Sequence, residues 1–394
     1  MPQIAGLRGV LPDPSKVKDV VAASGAIGPG GVGVDIAKGL AAGTLVRDPV
    51  RGVYRYHQAF ADPAGGRTLV RKMLLCAVRL EPWTEGLVRP HEATVPAHKA
   101  AALAALQATK VQAVPVFAGY RDAAVEVDRL FRKVDGDRPT LEVTTPDATV
   151  HRLWRVQNAE LFGQLRHLFA PKKLSVLDGH DRYEAMLEYR DELGAKHPLA
   201  MYSSANYALM CLVNLDDPTL HVAPRHRVIR GAPASPAVLA AAKPHFIIEK
   251  LAGAAKDLAK QRAALADVLA HQPAFVVVWA GEPDAWKLTL SPDVSPVNLG
   301  LQVHRALQKI DPIVADALFI ERAMPGAKVE TVVSAEDALA AKADAVVIMR
   351  PLTIEQVSHV VELGQVLPAG STAFVPRLAN GLVASVIDPD EDLV

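Results

Sequence analysis

The sharpest local signal in the sequence lies near the middle of the chain, at residues 174–186, which read Leu-Ser-Val-Leu-Asp-Gly-His-Asp-Arg-Tyr-Glu-Ala-Met. The apolar residues at its start predict a buried strand, and the residues after Gly179 predict a helix that begins at once. The first turn of a helix presents backbone N–H groups without partners and a partial positive charge, so it favours anions. This strand-to-helix turn therefore predicts mixed α and β structure with a candidate anion site.

Several side chains of this turn could carry chemistry. Gly179 permits a positive φ or a close approach of the backbone to a ligand. Arg182, one turn into the helix, could hold a phosphate or carboxylate through two hydrogen bonds. Asp178 could orient His180 or Arg182, hold a metal or act as a base. The alternative is that Asp178 is only a helix cap and Arg182 only a solvated helix residue, and the sequence leaves both open.

A second cluster lies at residues 88–96, Val-Arg-Pro-His-Glu-Ala-Thr-Val-Pro, where two prolines frame a short loop after a strand. The adjacent His91 and Glu92 suit proton transfer, because the carboxylate can act as a base while the imidazole is oriented beside it. A surface loop with a charged pair is the alternative. His91 and His98 lack the Cys or His pair that would complete a zinc site, so we expect no metal site made by protein ligands alone.

Two further clusters could bind anions or could be ordinary turns. One is residues 223–228, Ala-Pro-Arg-His-Arg-Val, which includes Arg227. The other is the loop around Ser371 and Thr372, followed by Pro376 and Arg377. Hydroxyl and backbone N–H groups after a glycine can cradle an anion, and arginines can bind an anionic substrate.

Three well-known nucleotide or hydrolase motifs find little support. Gly-x-Ser-x-Gly does not occur, so a hydrolase elbow is unsupported, and a Walker A loop is absent because no Gly-Lys-Ser/Thr follows a glycine run. The glycine run at 26–33 lacks a buried strand before it, which a dinucleotide fingerprint requires. This run could still be either a cofactor loop or a plain surface loop.

Composition narrows the class of protein. The 394 residues carry 43 Lys and Arg against 43 Asp and Glu, and the pI is near 7.2. This balance argues against a nucleic-acid binder that acts through bulk charge. The only two cysteines, Cys76 and Cys211, lie in apolar runs and predict buried thiols in a reducing compartment. We find no signal peptide and no membrane-spanning run, so we expect a soluble, cytoplasmic protein without a membrane partner.

Hydrophobic patterning predicts an α+β protein with mixed sheets. The expected strands are 53–60, 70–80, 114–118, 141–145, 149–155, 173–177, 205–216, 220–222, 274–280, 327–333 and 344–349. The expected helices are 97–110, 121–133, 158–169, 180–194, 236–270, 299–309, 335–341 and 353–363. A Pro/Ala/Ser stretch at 231–238 suggests a domain edge. We therefore expect domains at 1–232 and 233–394, with a last segment, 371–377, that can pack back on the first.

These clusters, taken in order, resemble the bacterial and archaeal domain of unknown function 1015 (DUF1015) family over nearly the whole chain. The matching stretches are Gly6–Arg8, Gly43–Asp48, Pro90–Thr94, His151–Arg155, Asp178–Ala185, Asn206–Met210, Asn214–Pro218, His226–Arg227, Arg350–Thr353 and Ser371–Leu378. The Asp-Gly-His-x-Arg turn is similar to the turn that handles phosphate in the ParB/sulfiredoxin-like superfamily, which includes kinases of free L-serine. The resemblance thus implies a ParB/sulfiredoxin-like mixed-sheet core followed by a C-terminal α/β domain.

The resemblance also implies an activity. It would be transfer of a phosphoryl group from pyrophosphate or a nucleotide (ATP or ADP) to a small hydroxyl substrate, with free L-serine as the leading acceptor. Glu92 would act as the base with help from His91, and Mg²⁺ would bridge the phosphates. Asp178 would join the catalytic group. The implied phosphate-binding residues are Gly179, His180, Arg182, Arg227, Ser371, Thr372 and Arg377.

The sequence departs from the family pattern at four places. The usual Pro-Pro-Tyr-Asp stretch is replaced by residues 24–33, and the usual second His of the Asp-Gly-His-His-Arg turn is Asp181. Arg225 stands where the family has Thr, and Gly370 where it has Lys. A lost cation and a gained anion would weaken binding of a polyphosphate. A non-catalytic relative that binds an anionic metabolite or a protein partner is therefore the alternative, while a DNA-associated role is disfavoured by the zero net charge.

Overall fold

The computed structural model describes residues 3–24, 35–63 and 65–393, and it leaves the side chains of residues 22–24 undescribed. The chain divides into two compact units, of which the first is Met1–His221 with Phe374–Val394 and the second is Val222–Ala373. The division thus falls at His221, earlier than the edge expected at 232, and the last residues group with the first unit. The glycine run at 26–33 lies outside the described residues, as does nearly all of the departure at 24–33.

Strands and helices alternate irregularly along the chain. The strands are β1 Ile4–Ala5, β2 Val10–Pro12, β3 Leu45–Arg47, β4 Val53–Ala61, β5 Thr68–Arg79, β6 Val88–Pro90, β7 Val111–Gln112, β8 Val116–Tyr120, β9 Leu141–Thr144, β10 Val150–Val156, β11 Leu174–Asp178, β12 Tyr207–Asn214, β13 His221–Pro224, β14 His226–Arg230, β15 Phe246–Leu251, β16 Ala274–Trp279, β17 Ala285–Leu290, β18 Lys328–Val332, β19 Ala345–Met349, β20 Thr372–Val375 and β21 Ser385–Val386. The helices are α1 Val17–Ser24, α2 Ile36–Ala41, α3 Pro96–Thr109, α4 Glu126–Leu130, α5 Arg132–Asp135, α6 Ala159–Phe169, α7 His180–Lys196, α8 Ser235–Ala242, α9 Leu258–Ala266, α10 Asp311–Ile313, α11 Glu321–Ala323, α12 Ala335–Ala340 and α13 Ile354–Glu362. A π-helical segment, Val314–Ile320, joins α10 to α11.

The first unit is built on a nine-stranded mixed sheet. Its strand order is β6-β11-β8-β12-β5-β4-β10-β9, with β1 beside β5. The pairs β11–β6 and β12–β8 are parallel, and the other pairs in the sheet are antiparallel. The expected mixed-sheet α+β class is therefore confirmed. Cys76 and Cys211 lie on the paired strands β5 and β12, and both are buried free thiols, as the apolar runs around them predict.

Three of the stretches that match the family meet at Asp48, which is fully buried. Its carboxylate accepts a hydrogen bond from the Tyr54 hydroxyl at 2.6 Å and contacts the Arg155 guanidinium at 2.5 Å, while its carbonyl accepts from Arg8 Nε at 3.0 Å. A buried carboxylate needs such partners because an unpaired charge in a core is costly. These matching residues therefore hold the fold together.

The second unit contains a six-stranded sheet in the order β15-β17-β16-β19-β14-β18, in which neighbours are antiparallel. Because β18 and β19 both run opposite to β14, they run in the same direction. Apolar side chains on the two faces of the sheet form separate clusters: α13 contributes to one, and α9 and α12 contribute to the other. Both faces of this sheet are thus covered by helices.

Two helix predictions in the second unit are wrong. The expected helix at 236–270 is interrupted by the edge strand β15, whose Phe246-Ile247-Ile248 start favours extended structure after Pro244 prevents α8 from continuing. The expected helix at 299–309 consists of turns, and the helical segment begins later at Asp311, with Pro312 in its first turn. Strand β17 was also missed. Among the described residues, every helix is too short or too polar to cross a membrane.

Candidate active site

The two sharpest sequence clusters are brought together by one parallel strand pair. In β6 and β11, Val88 lies opposite Leu174 and Pro90 lies opposite Val176. The residues that directly follow each strand therefore emerge at the same edge of the sheet. His91 and Glu92 follow β6, whereas Gly179 and the first turn of α7 follow β11.

His91 and Glu92 form a buried pair with a fixed imidazole. The Nδ1 atom of His91 lies 2.8 Å from the Val176 carbonyl oxygen, which can only accept, so this nitrogen carries the hydrogen. The other ring nitrogen, Nε2, lies 3.2 Å from a carboxylate oxygen of Glu92. His91 is 1% exposed and Glu92 is 8% exposed. The backbone thus sets the orientation of the imidazole, and the imidazole contacts the carboxylate.

His180 completes this cluster from the first residue of α7. Its Nε2 atom lies 3.0 Å from His91 Nδ1, and the backbone N–H of Glu92 donates to it at 3.4 Å. Burial, together with the neighbouring His91, lowers the pKa of His180 to about 3. His180 is therefore neutral near pH 7, and it links α7 to the loop that carries Glu92.

Asp181 and Glu184 attach the same loop to α7. Asp181 Oδ1 accepts the backbone N–H of Val95 at 2.8 Å, at the start of α3. Glu184 accepts from the Thr94 hydroxyl at 2.7 Å. Asp181, which stands in place of the family's second histidine, is thus directed at α3 and fixes the loop, and its carboxylate is not aimed at the Gly179 turn.

The backbone at Gly179 has a positive φ, as expected from a glycine at this turn. Gly179 has φ +90, and a Cβ atom built on it would lie 2.6 Å from Arg182 Nη2. The Arg182 guanidinium therefore lies directly over this turn, where Nη2 donates to the Pro115 carbonyl at 3.3 Å and lies 3.8 Å from Asp178. Its Nε is buried and has no hydrogen-bond partner among the described residues. The Asp178 carboxylate is largely exposed.

A segment near the C-terminus also borders the cluster, and sequence reasoning missed how it is held. The Phe374 ring packs edge-on against His91, with ring centroids 5.6 Å apart. Arg71, which is fully buried, donates to Gln58 and to the carbonyls of Val375 and Pro376. Burial lowers the pKa of Arg71 to about 10. An arginine inside the predicted strand 70–80, facing the core, was the available signal for such an anchor.

The remaining predicted phosphate-binding residues divide between the two units, with Arg377 in the first. The Arg377 carbonyl accepts from Gln58 at 2.7 Å. Arg227, Ser371 and Thr372 belong to the second unit. Arg227 is 1% exposed and forms a two-bond ion pair with Asp316, at 2.8 and 2.7 Å. This pair engages the guanidinium edge that a phosphate would need.

Two of the departures from the family pattern have local explanations in the second unit. Arg225 donates to the Thr372 carbonyl at 2.9 Å and to Thr331 at 3.3 Å. Gly370 has φ +78, and a Cβ atom there would lie 3.2 Å from the Thr331 hydroxyl. Any side chain at Gly370 would therefore be strained, so a lysine does not fit this backbone.

Within the described part of the chain, no group of three or more His, Cys, Asp or Glu side chains could hold a metal ion. Mg²⁺ commonly binds through one or two carboxylates, substrate phosphates and its own waters. A single carboxylate such as that of the exposed Asp178 fits this mode, so the residues present suit a Mg²⁺ ion that arrives with a phosphate.

Comparison with known proteins places the chain in a family. Solved structures with similarity include a free serine kinase in complex with AMP (14% identity, TM-score 0.42, covering 81% of this chain and 93% of that one). Others are C-terminally truncated SbnI from Staphylococcus aureus (11%, 0.41, 81% and 90%) and a conserved hypothetical protein from Pyrococcus furiosus (13%, 0.39, 79% and 95%). No curated protein matches the sequence. The family model described as "Protein of unknown function (DUF1015)" matches residues 35–311, so the chain belongs to the DUF1015 family.

Proposed function

We propose that this protein transfers a phosphoryl group from pyrophosphate or a nucleotide to a small hydroxyl compound, with free L-serine as the first acceptor to test. One observation carries the proposal: the Glu92 carboxylate lies 3.2 Å from an imidazole that the Val176 carbonyl orients, beside the first turn of α7. The family resemblance supplies the substrate class. Glu92, His91 and the first turn of α7 supply the chemistry.

Glu92 is the candidate general base. A carboxylate can remove the proton of a substrate hydroxyl as the oxygen attacks phosphorus, provided that it is held in place. The His91 imidazole holds it when both ring nitrogens carry a hydrogen, because Nδ1 then donates to the Val176 carbonyl and Nε2 donates to the Glu92 carboxylate. Neutral His180 fixes the loop without adding a positive charge beside the base.

The first turn of α7 is the candidate phosphate cradle. Gly179 caps this 17-residue helix without a side-chain hydrogen bond, so the N–H groups of the first turn remain directed outward. Arg182 lies over the same turn with a buried Nε that lacks a partner among the described residues. A phosphate oxygen could satisfy such donors through charge-assisted hydrogen bonds. When bound with the donor, Mg²⁺ would neutralise phosphate charge, and Asp178 is the carboxylate available to it.

The test is a direct search for phosphoserine. Purified protein is incubated with Mg²⁺, L-serine and either pyrophosphate, ATP or ADP, and the products are followed by ³¹P NMR. Phosphoserine formed from one donor would support the proposal, whereas none from any donor would overturn the serine kinase assignment.

A binding measurement separates failure of catalysis from failure of the site. Thermal unfolding is compared with and without each phosphate for the wild type, for Arg182→Ala and for the surface variant Arg152→Ala. A ligand at a hundredfold excess over its Kd stabilises the folded state by about 2.7 kcal/mol, which shifts the midpoint by several degrees. A shift lost only in Arg182→Ala would support the phosphate site. A shift without turnover would instead favour a non-catalytic relative that binds an anionic metabolite, the alternative that the family departures raise.

A further inference from the structure

A large cavity lies away from Glu92, and its lining residues all belong to the second unit. It has a volume of about 620 Å³ and is open on one side. Cavities of a few hundred cubic ångströms are typical of small-molecule sites. Much of its wall comes from residues 333–356, which lie after the part of the chain that the family model matches. The cavity therefore requires an explanation of its own.

The cavity lies at the ends of two strands of the sheet. The turns after β18 and β19 line it, and β14 begins between these two strands. Helix α12 follows β18 and packs on the face that contains Val228, whereas α13 follows β19 and packs on the face that contains Ile229. Successive residues of a strand point to opposite faces, so the chain leaves the two strand ends toward opposite sides of the sheet. The two turns therefore diverge and leave a crevice between them, which the cavity occupies.

His226 is a buried polar residue of the cavity wall. It is 3% exposed, and its Nδ1 atom accepts the backbone N–H of Met349 at 3.1 Å. A neutral imidazole that accepts at Nδ1 carries its hydrogen on Nε2. Burial and the nearby Arg262 lower the pKa of His226 to about 4, so this neutral form persists at pH 7. No hydrogen-bond partner for Nε2 is found among the residues that the structure describes.

The other polar groups of the wall divide into engaged acceptors and unengaged donors. Asp311 is bound by Arg350 at 2.8 and 3.0 Å, and Thr353 and Gln356 cap each other. Both carboxylate oxygens of Glu336 are contacted, one by Arg262 at 3.4 Å and the other by Ser334 at 3.3 Å. Arg262, in contrast, makes only that one hydrogen bond within the described residues. Because its guanidinium has five N–H groups, it can donate to a ligand as well.

The polar atoms of the cavity wall that still lack partners are therefore hydrogen-bond donors. Most of the other lining side chains are aliphatic. We propose that the cavity binds a small organic anion with an apolar body, whose acidic oxygens meet His226 Nε2 and Arg262. A carboxylate and a phosphate monoester share this chemistry, and the measurement below distinguishes them. The site is separate from the proposed phosphotransfer centre and stands or falls independently of it.

Isothermal titration of the full chain tests the proposal with two pairs of probes. Indole-3-acetate is compared with its neutral amide, indole-3-acetamide, and AMP is compared with adenosine. We expect one anion to bind about tenfold or more tighter than its neutral counterpart, since hydrogen bonds to charged groups are the stronger ones. The pair that shows this preference identifies carboxylate or phosphate. No preference in either pair would overturn the proposal.

Substitutions at exposed positions of the second unit test where the anion binds and should leave the fold intact. Arg262→Met should weaken binding of the preferred anion about tenfold, whereas Lys260→Met, on the same helix but outside the cavity wall, should not. Ala266→Trp should reduce binding by filling the cavity. Arg182→Ala, which removes the guanidinium of the proposed phosphate cradle, should leave it unchanged, which separates this site from the first unit. Binding that survives both Arg262→Met and Ala266→Trp would place the anion elsewhere and overturn the assignment.

Discussion

His91 Nδ1 and His180 Nε2 lie 3.0 Å apart, and both are close to the carbonyl oxygen of Val176, at 2.8 and 3.1 Å. One backbone oxygen thus lies beside two imidazoles from different parts of the chain. Because a carbonyl only accepts, it determines which nitrogen of His91 carries the hydrogen and leaves the opposite nitrogen to face Glu92. The end of β11 therefore positions the proposed base, although it contributes no side chain to it.

Replacement of the base is the sharpest test of the proposed chemistry. Glu92→Gln keeps the size of the side chain but removes its ability to accept a proton from a substrate hydroxyl. We expect turnover to fall by about 10²- to 10⁴-fold, with the phosphate-induced shift in unfolding temperature retained. Phosphoserine production and thermal unfolding are measured on the same samples.

The control for this change is Glu188→Gln. Glu188 lies on α7 in an exposed ion pair with Lys99 at 2.8 Å, away from His91. It should keep wild-type turnover. Equal activity in Glu92→Gln and the wild type would remove Glu92 from the mechanism.

Asp181 is expected to support the loop and to take no part in binding phosphate. Asp181→Ala deletes the acceptor of the Val95 N–H and should lower the free energy of unfolding by about 1 kcal/mol. Asp181→Asn retains a carbonyl oxygen at that place and should lose much less. Chemical denaturation of both variants, with the exposed Asp191→Ala as control, makes the comparison. A gain in phosphate affinity in Asp181→Asn would instead show that the Asp181 carboxylate repels the phosphate.

The sequence predicts the candidate site in part. The turn at Gly179 and the His91-Glu92 pair are both visible as local patterns, because each follows a strand directly. Their contact is not visible, since it depends on the parallel pairing of β6 with β11, which are far apart in the chain. The hydrogen bond of Asp181 is not visible in the sequence for the same reason: its partner, Val95, is brought near by the packing of α3 on α7.

Fold elements with a strong apolar pattern are predicted well, and those determined by tertiary context are not. The expected helix at 180–194 and strand at 274–280 differ from α7 and β16 by two residues or fewer at each end. Edge strand β15 was predicted as helix because its neighbours are rich in alanine, and it is extended because it pairs with β17. Propensity is weak evidence wherever a sheet partner is available.

Gly179 and Arg182 are expected to be coupled. Gly179→Ala forces a side chain onto a backbone at φ +90 and against the Arg182 guanidinium, so it should cost about 1–2 kcal/mol for the backbone and more for the contact. In the double variant with Arg182→Ala the contact is gone but the backbone strain remains. The double variant should therefore lose less stability than the sum of the two single variants.

The matched control is Gly163→Ala in α6, where a Cβ atom would meet nothing within 4 Å. Since alanine favours helix, this change should raise stability by up to about 1 kcal/mol. Strict additivity of the Gly179 and Arg182 changes would show that the two residues do not touch in solution.

Stability should fall as the pH is lowered from 6.5 toward 4. Burial lowers the pKa of His180 to about 3 and those of His151 and His226 to about 4, whereas unfolded histidine titrates near its ordinary 6.5. Between these values the unfolded chain binds more protons than the folded chain, so acid favours unfolding. Each such histidine contributes a slope of up to about 1.4 kcal/mol per pH unit.

The contribution of His180 can be separated from the others. Between pH 6.5 and 5 most carboxylates remain ionised, so the change in unfolding temperature there reports mainly on histidines. Burial lowers the pKa of His180 most, and His91 lowers it further. Glu92 and Asp178 raise it, but by less than burial lowers it. His180→Gln should lower the unfolding temperature at pH 7 because it disturbs the Val176 cluster, yet its further decrease down to pH 5 should be smaller than that of the wild type. Parallel pH profiles would mean that His180 titrates in the folded protein as it does in the unfolded chain, and the lowered pKa assigned to it would then be wrong.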